Sequence, residues 1–229
     1  MRVLMVAPPG AGKGTQGAVI AAHFDIPHIA TGDLLRDHVA RRTDLGRAVQ
    51  HHLDEGELVP DRIVLDMVRA EMVEARDRGG YVLDGVPRSL SQAQELYKIG
   101  RELEMTADVA LHLKAEDDEL IRRLLARAAL EHRSDDNEAV IRHRLDLYHT
   151  ITHPIVAWYA KRGILVSVDA MRPAERVGRQ ILTALETMRP LLQHVPEHAR
   201  EPIDLTGLSA AFGTTDTARR AVRTEGSRA

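Results

Sequence analysis

The chain has 229 residues, which is enough for one sizeable domain with a substantial core. Its formal net charge of -3 argues against a general nucleic-acid-binding protein, because that class carries a strong basic excess. The sequence contains no cysteine, which excludes disulfide bonds and thiolate zinc sites. The apolar run at its start is too short for a signal peptide or a membrane span, so we expect a cytoplasmic protein that binds neither nucleic acid nor membranes.

Strand and helix signals alternate along the chain, which is the pattern of an α/β fold with a parallel sheet. Short buried-strand runs predict five strands, at 2–7, 27–30, 81–85, 108–114 and 164–168. Apolar residues at helical spacing follow Lys13, and the same spacing predicts further helices at 31–41, 44–54, 61–77, 89–102, 117–128, 137–162 and 173–188.

The stretch APPGAGKGTQ, residues 7–16, joins the first strand to the first helix. Compared with the phosphate-loop pattern G-x-x-x-x-G-K-[ST], it has Ala7 at the first glycine and Gly14 at the hydroxyl position. The backbone N–H groups of such a turn and the positive end of the following helix solvate phosphate oxygens. Lys13 adds a full positive charge, so we interpret the stretch as a phosphate-binding loop.

Four motifs resemble, in order and spacing, the signatures of adenylate kinases: PPGAGKGTQ at 8–16, TGDLLR at 31–36, LVPD at 58–61 and LDGVPRSLSQAQ at 83–94. The similarity extends from residue 1 to about residue 188. It implies a P-loop three-layer α/β/α fold and an enzyme that reversibly transfers the γ-phosphoryl group of Mg-ATP to AMP, giving two ADP. Gly-Thr follows the lysine in that family, so only Ala7 remains a departure within the loop.

The resemblance assigns ATP binding to the loop and to three arginines: Gly10, Ala11, Gly12, Lys13, Gly14, Thr15, Arg123, Arg127 and Arg172. It implies that the catalytic residues are Lys13, Arg88, Arg123, Arg133 and Arg144. Phosphoryl transfer needs positioning and charge stabilisation more than a general base, so such a set is chemically apt. From composition alone, the arginines could equally form a solvated face paired with the acidic residues at 116–119.

For AMP, the resemblance implies a pocket formed by Thr31, Arg36, Glu57, Val59, Gly85, Arg88 and Gln92. The Gln92 amide can both donate and accept, as the edge of adenine requires. Related UMP/CMP kinases usually carry Ala at the position of Thr31 and Asn near that of Gln92, which favours AMP here. A kinase for another monophosphate and a nucleotide-binding regulator without turnover stay open as alternatives.

Asp84 ends a predicted strand at the edge where α/β sheets present ligand-binding groups. We expect it to hold Mg²⁺ through the water shell of the ion. The lid implied at 122–137 is short and has no cysteine, so no zinc is expected. His149 and His153 are four residues apart, but without a third ligand they are interpreted as helix surface.

We expect a monomeric kinase domain at 1–188, with a monophosphate-binding segment at 31–59, followed by a tail at 189–229. The tail is rich in proline and small polar residues, and we expect it to be largely unstructured. A second departure from the family is Val86, where an aromatic residue is usual before Pro87. We hypothesise that Val86 makes room for the methyl of Ala7, and that Pro87 keeps the cis bond that the resemblance suggests.

Overall fold

A parallel sheet lies at the centre of the molecule. The computed structural model describes residues 1–131, 137–192 and 203–204. The strands are β1 (Arg2–Val6), β2 (His28–Ala30), β3 (Tyr81–Asp84), β4 (Val109–Lys114), β5 (Leu165–Asp169) and β6 (Ile203–Asp204). They lie in the order β2-β3-β1-β4-β5-β6, and every neighbouring pair is parallel. The five predicted strands are confirmed, and the short β6 joins them at one edge.

Helices connect the strands and cover both faces of the sheet. They are α1 (Lys13–Phe24), α2 (Thr31–Ala40), α3 (Asp44–Asp54), α4 (Asp61–Arg76), α5 (Leu90–Glu102), α6 (Asp117–Glu131), α7 (Glu138–Leu147), α8 (Pro154–Lys161) and α9 (Ala174–Leu192). The prediction of one helix over 137–162 is wrong, because a π-helical turn, Tyr148–Thr152, separates α7 from α8. Pro154 has no N–H to continue the preceding helix, and it stands in the first turn of α8.

The side chains of β1 alternate between two apolar clusters, as expected for a strand buried on both sides. Val3 and Met5 pack in a cluster with α1, α6 and α9, whereas Leu4 and Val6 pack in a cluster with α4, α5 and α8. This arrangement gives the three layers of the predicted α/β/α fold. No helix in the described part of the chain has both the length and the apolar character needed to cross a membrane.

Ala7 and Val86 lie in different clusters, so the hypothesis that one compensates for the other is wrong. The register of β1 and β3, with Met5 opposite Asp84, would place residues 7 and 86 on one face if both strands continued. Gly85 prevents this because its φ of 89° lies in the left-handed region and ends the alternation. The Val86–Pro87 bond is cis, as expected.

Helices α2 and α3 pack closely against each other in the segment predicted to bind the monophosphate. The hydroxyl of Thr43 caps α3 by accepting from the N–H of Gly46 at 3.0 Å. A Cβ added at Gly46 would lie 2.1 Å from the backbone oxygen of His38. Only glycine therefore allows the two helices to approach this closely.

Residues 203–204 bring part of the predicted tail into the sheet. Ile203 pairs with Val166 and Asp204 with Ser167, parallel to β5. Helix α9 also runs past the predicted boundary, to Leu192. The rest of the region 193–229 lies outside the described residues.

Candidate active site

The carboxyl ends of β1, β3 and β5 border an open cavity of about 790 Å³. The loop between β1 and α1 forms its floor. Gly10 and Gly12 have φ values of 83° and 88°, in the left-handed region that favours glycine. A Cβ at Gly10 would also lie 2.9 Å from Cγ of Leu124 on α6. The loop conformation therefore depends on these two glycines, and the predicted residues 10–15 all line the cavity.

The side chain of Lys13 folds back onto the backbone at the start of its own loop. Its Nζ donates to the backbone oxygens of Ala7 at 2.9 Å and Pro8 at 3.2 Å. Ala7 contributes only its carbonyl to this contact, and its φ is not in the left-handed region. The alanine in place of the first glycine therefore leaves the backbone unstrained at this position.

The ammonium of Lys13 is surrounded by protein although it borders the cavity. Burial lowers its pKa to about 8, from a usual 10.5. Asp84 opposes the shift of the pKa, whereas the nearby charges of Arg88, Arg144 and Arg127 add to it. The positive groups predicted to bind phosphate are thus close enough to repel one another.

Asp84 ends β3 beside the phosphate loop and is 9% exposed. An ideal Cβ at Gly14 would lie 3.9 Å from Oδ2 of Asp84, and Nε2 of His28 lies 3.9 Å from the same oxygen. The carboxylate faces the cavity next to the place where phosphates would bind. A carboxylate at the edge of a roomy polar cavity suits Mg²⁺, which keeps several waters and binds through one or two such groups.

Carboxylates hold two of the predicted arginines in the large cavity. Arg123 donates from Nε to Oε1 of Glu119 at 2.7 Å and from Nη1 to the oxygen of Ala170 at 3.0 Å. Nε of Arg172 lies 3.3 Å from Oδ2 of Asp169. Arg123 therefore fits both interpretations of this arginine-rich stretch, as a cation that could bind phosphate and as a partner of acidic residues. It faces the cavity, and it is also paired with an acidic neighbour.

Glu119 binds two guanidinium groups at once. Hydrogen bonds from Arg122 and Arg123 lower the pKa of Glu119 to about 2, so the carboxylate stays ionised at neutral pH. Arg122 uses both Nε and Nη2 for this contact. Arg127, one turn beyond Arg123, also lines the cavity, whereas the predicted catalytic residue Arg133 lies outside the described residues.

A second, narrow pocket of about 40 Å³ lies between the α2–α3 pair and the end of β3. All seven residues predicted to bind AMP line it: Thr31, Arg36, Glu57, Val59, Gly85, Arg88 and Gln92. Apolar residues that the sequence analysis did not identify complete its wall: Leu35, Leu53, Leu58 and Val64. Their helical spacing indicated burial but not which ligand they would face.

Buried hydrogen bonds fix Thr31 and Arg88 in this pocket. Thr31 donates from Oγ1 to the backbone oxygen of Asp84 at 3.1 Å. A Cβ at Gly85 would lie 2.4 Å from that hydroxyl, so glycine is required there. Arg88 donates from Nε to the oxygen of Gly85 at 2.7 Å, and its own backbone oxygen accepts from Thr152 at 2.7 Å.

The Gln92 amide is 2% exposed and is held at both ends. Its Oε1 accepts from the backbone N–H of Arg88 at 2.7 Å. Its Nε2 donates to Oδ1 of Asp61 at 2.7 Å. The motif LVPD contains Asp61, but nothing in the sequence indicated this partner 31 residues away.

A third cavity of about 60 Å³ shares lining residues with each of the other two, and Arg144 lines it together with Lys13 and Arg88. Arg144 also lines the narrow pocket, where its Cγ would lie 2.8 Å from a Cβ at Gly56. Arg88 borders all three cavities. The phosphate loop, the two pockets and the arginines that they share therefore lie close together.

A family model described as "Adenylate kinase" matches residues 5–164 of this chain. Among the curated relatives, one named "Adenylate kinase" from Thermobifida fusca (strain YX) is 46% identical over 187 residues, which cover 82% of this chain and 99% of the relative. The chain belongs to the adenylate kinase family. Another relative of that name, from Kocuria rhizophila, is 45% identical over 81% of this chain and 98% of its own length. One from Leptospira biflexa is 42% identical, covering 80% and 99%.

Membership of the adenylate kinase family confirms the resemblance on which the sequence analysis relied. The chain is an enzyme, a phosphotransferase, as its motifs predicted. The family name does not assign roles to single residues. Those roles, the metal and the fit of AMP depend on the geometry described above.

Proposed function

We propose that the chain transfers the γ-phosphoryl group of ATP directly to the phosphate of AMP, giving two ADP, and that the large cavity holds ATP and the narrow pocket holds AMP. The observation that carries this assignment is Arg88, which borders both sites and a third cavity that shares lining residues with each of them. Two nucleotides bound in this way would meet phosphate to phosphate at a cluster of positive groups. That arrangement suits an in-line transfer, in which charge builds up on the oxygens of the transferred group.

On the ATP side, the loop amides of residues 10–15 and the ammonium of Lys13 bind the β- and γ-phosphates. Lys13 exchanges its two carbonyl partners for phosphate oxygens, and the added negative charge raises its pKa back towards the usual value. Arg123, Arg127 and Arg172 border the same cavity and neutralise the triphosphate, with Arg133 as a further predicted member. Asp84 would hold Mg²⁺ through water, and the ion would supply further neutralisation of phosphate charge.

On the AMP side, Arg36 and Arg88 bind the phosphate, and Arg144 stands between the two nucleotides. Thr31, Val59 and the backbone of Gly85 line the pocket around the base. Gln92 recognises the adenine edge through one donor and one acceptor. Glu57 lies at the rim, where its Oε1 accepts from Nε2 of His143 at 2.8 Å when that nitrogen carries the proton.

A coupled assay of ADP formation, run with AMP, CMP, UMP and GMP and with and without Mg²⁺, tests the proposal. AMP should give the highest kcat/KM, and chelation of Mg²⁺ should abolish turnover. A higher kcat/KM for another monophosphate would favour the alternative kinase, and nucleotide binding without turnover would favour the regulator. The unstrained loop at Ala7 removes one reason for the regulator. A cytoplasmic location and a monomeric state stay predictions from composition.

A further inference from the structure

Groups of opposite hydrogen-bonding character hold the Gln92 amide from its two sides. The backbone N–H of Arg88, which contacts Oε1, can only donate. The carboxylate of Asp61, which contacts Nε2, can only accept when it is ionised. A half-turn of the amide would bring its oxygen against the carboxylate and its nitrogen against the N–H group. Both contacts would then be repulsive, so only one orientation of the amide is stable.

Asp61 is itself held in place by a chain of hydroxyl groups. Its Oδ2 accepts from Oγ of Ser91 at 2.8 Å. Because Ser91 uses its one hydrogen in this contact, Oγ of Ser89 is the donor across the 2.8 Å that separate the two serines. Ser89 in turn accepts from the N–H of Gln92 at 3.2 Å. The contacts form a closed ring at the start of α5, and every donor in it has an acceptor.

The locked amide still offers one N–H and one lone pair to a ligand in the pocket. Adenine presents an acceptor, N1, beside a donor, the 6-amino group. A 6-oxopurine such as hypoxanthine or guanine presents the reverse order, with N1–H as donor and O6 as acceptor. For a base held in one pose, an amide that cannot turn pairs with only one of these two edges, so the fixed orientation of Gln92 discriminates between adenine and a 6-oxopurine.

We infer that Asp61 is a positioning residue that determines base specificity by fixing the orientation of Gln92. Asp61 is absent from the described residues that line the pocket, whereas Gln92 is among them, so Asp61 acts through the amide and not on the nucleotide. The inference rests on the proposed function, in which the AMP base faces Gln92. It adds a reason why an amide, which could bind either purine edge, selects one.

The variant Asp61→Asn tests this role. An asparagine keeps the size of the side chain but can present either a donor or an acceptor, so it no longer opposes the flipped amide. We expect the ratio of kcat/KM for AMP to kcat/KM for IMP to fall at least about tenfold, the value of one well-placed hydrogen bond to a charged group. The loss should appear mainly as a higher KM for AMP. Asp66→Asn, at an exposed position of the same helix, is the matched control and should leave the ratio unchanged.

A second variant, Ser91→Ala, removes only the hydroxyl that fixes Asp61 and should lower the same ratio to a smaller extent. Thermal unfolding of each variant identifies any loss of folded protein. An equal fall in kcat/KM for AMP and IMP in both variants would mean that Asp61 is merely structural, and would overturn the inference. If the wild-type enzyme does not phosphorylate AMP at all, the proposed function fails first.

Discussion

The two sides of the proposed nucleotide site, one for the monophosphate and one for the triphosphate, are held by different kinds of interaction. On the monophosphate side, Thr31 and Gln92 are almost fully buried and make hydrogen bonds to backbone groups and to one carboxylate. On the triphosphate side, Arg123 and Arg172 are about 30% exposed and are held by ion pairs with carboxylates. Ion pairs that contact water fix long side chains only weakly.

The difference shows which part of the chemistry is built into the fold. The pocket that we propose for the base has its donor and acceptor already fixed by protein groups, so we expect its selectivity not to depend on the nucleotide to arrange it. The triphosphate side instead offers a set of cations whose mutual repulsion is balanced by Glu119 and Asp169. Binding of phosphate can replace those carboxylates, so this side is completed by its ligand. Changes to charge and changes to hydrogen bonding should therefore have separable effects.

The largest effect is expected from Lys13→Met, which removes the charge at the centre of the triphosphate side. We expect kcat to fall by about two to three orders of magnitude, because the lost contact stabilises the transferring phosphoryl group. The KM for AMP should change little. Steady-state kinetics with each substrate varied in turn measures both, and Lys98→Met at an exposed surface site is the control. A kcat near that of the wild type would contradict the proposed role.

A change of pH should also affect kcat/KM for ATP and kcat/KM for AMP differently. The lowered pKa of Lys13, about 8, means that the free enzyme loses this positive charge as the pH rises through that value. Above it, kcat/KM for ATP should fall about tenfold per pH unit. At saturating ATP, kcat/KM for AMP should stay nearly constant, because bound phosphate keeps Lys13 protonated and guanidinium groups stay charged.

Lys13→Arg is the reference for this titration, since its side chain carries a charge throughout the range. In this variant kcat/KM for ATP should not change with pH over this range, whatever its absolute value. The same shift of the pKa predicts that the free energy of unfolding rises between about pH 8 and 10.5, where the unfolded chain binds more protons at this group than the folded chain does. A fall of kcat/KM for AMP parallel to that for ATP would contradict the separation.

A smaller effect is expected from Glu119→Gln, which removes the carboxylate that pairs with Arg123. We expect kcat/KM for ATP to fall by about two- to fivefold, the usual range for an ion pair in contact with water, and kcat/KM for AMP to be unchanged. Glu138→Gln, which breaks the exposed pair with Arg142, is the control. A loss of two orders of magnitude would show that Arg123 is held as firmly as Gln92, and the distinction between the two sides would fail.

The smallest effect is expected from truncation after Leu192, which removes no residue that we assign to the site. It removes the two-residue β6 together with the rest of the region 193–229. We expect kcat/KM for both substrates within about twofold of the full chain and a melting temperature lower by only a few degrees, because so short a strand buries little apolar area. An inactive or aggregated product would show that this region belongs to the catalytic fold.

Local patterns in the sequence predicted most of the fold and the outline of the site. The glycine spacing around Lys13 and the apolar runs of the strands are short-range signals. The structure confirms the five strands and the turn that joins β1 to α1, whereas phosphate binding by that turn stays a prediction. The break after residue 147 was not predicted, since the apolar spacing continues through it and only Pro154 indicated an end. The two residues of β6 are too few to form a periodic pattern.

The contacts that set the geometry of the site could not be predicted. The bonds of Gln92 to Asp61 and of Arg123 to Ala170 join residues far apart in the chain, and spacing carries no signal for such pairs. The error over Ala7 and Val86 has the same origin. β1 and β3 are neighbours in the sheet, but one positive φ at Gly85 reversed the face on which Val86 lies.

We expect Gly46 to limit how the segment proposed to bind the monophosphate can move. A Cβ at Gly46 would lie 2.1 Å from the backbone oxygen of His38, so α2 and α3 approach each other at the level of the backbone. We expect the two helices to move together in any displacement of this segment. The torsional change would then fall at the ends of the pair, near residues 30 and 55. Opening of the narrow pocket to a nucleotide would then depend on backbone rotation at these two hinges. Substitutions that stiffen the hinges should slow the exchange of AMP without altering its affinity in the closed site.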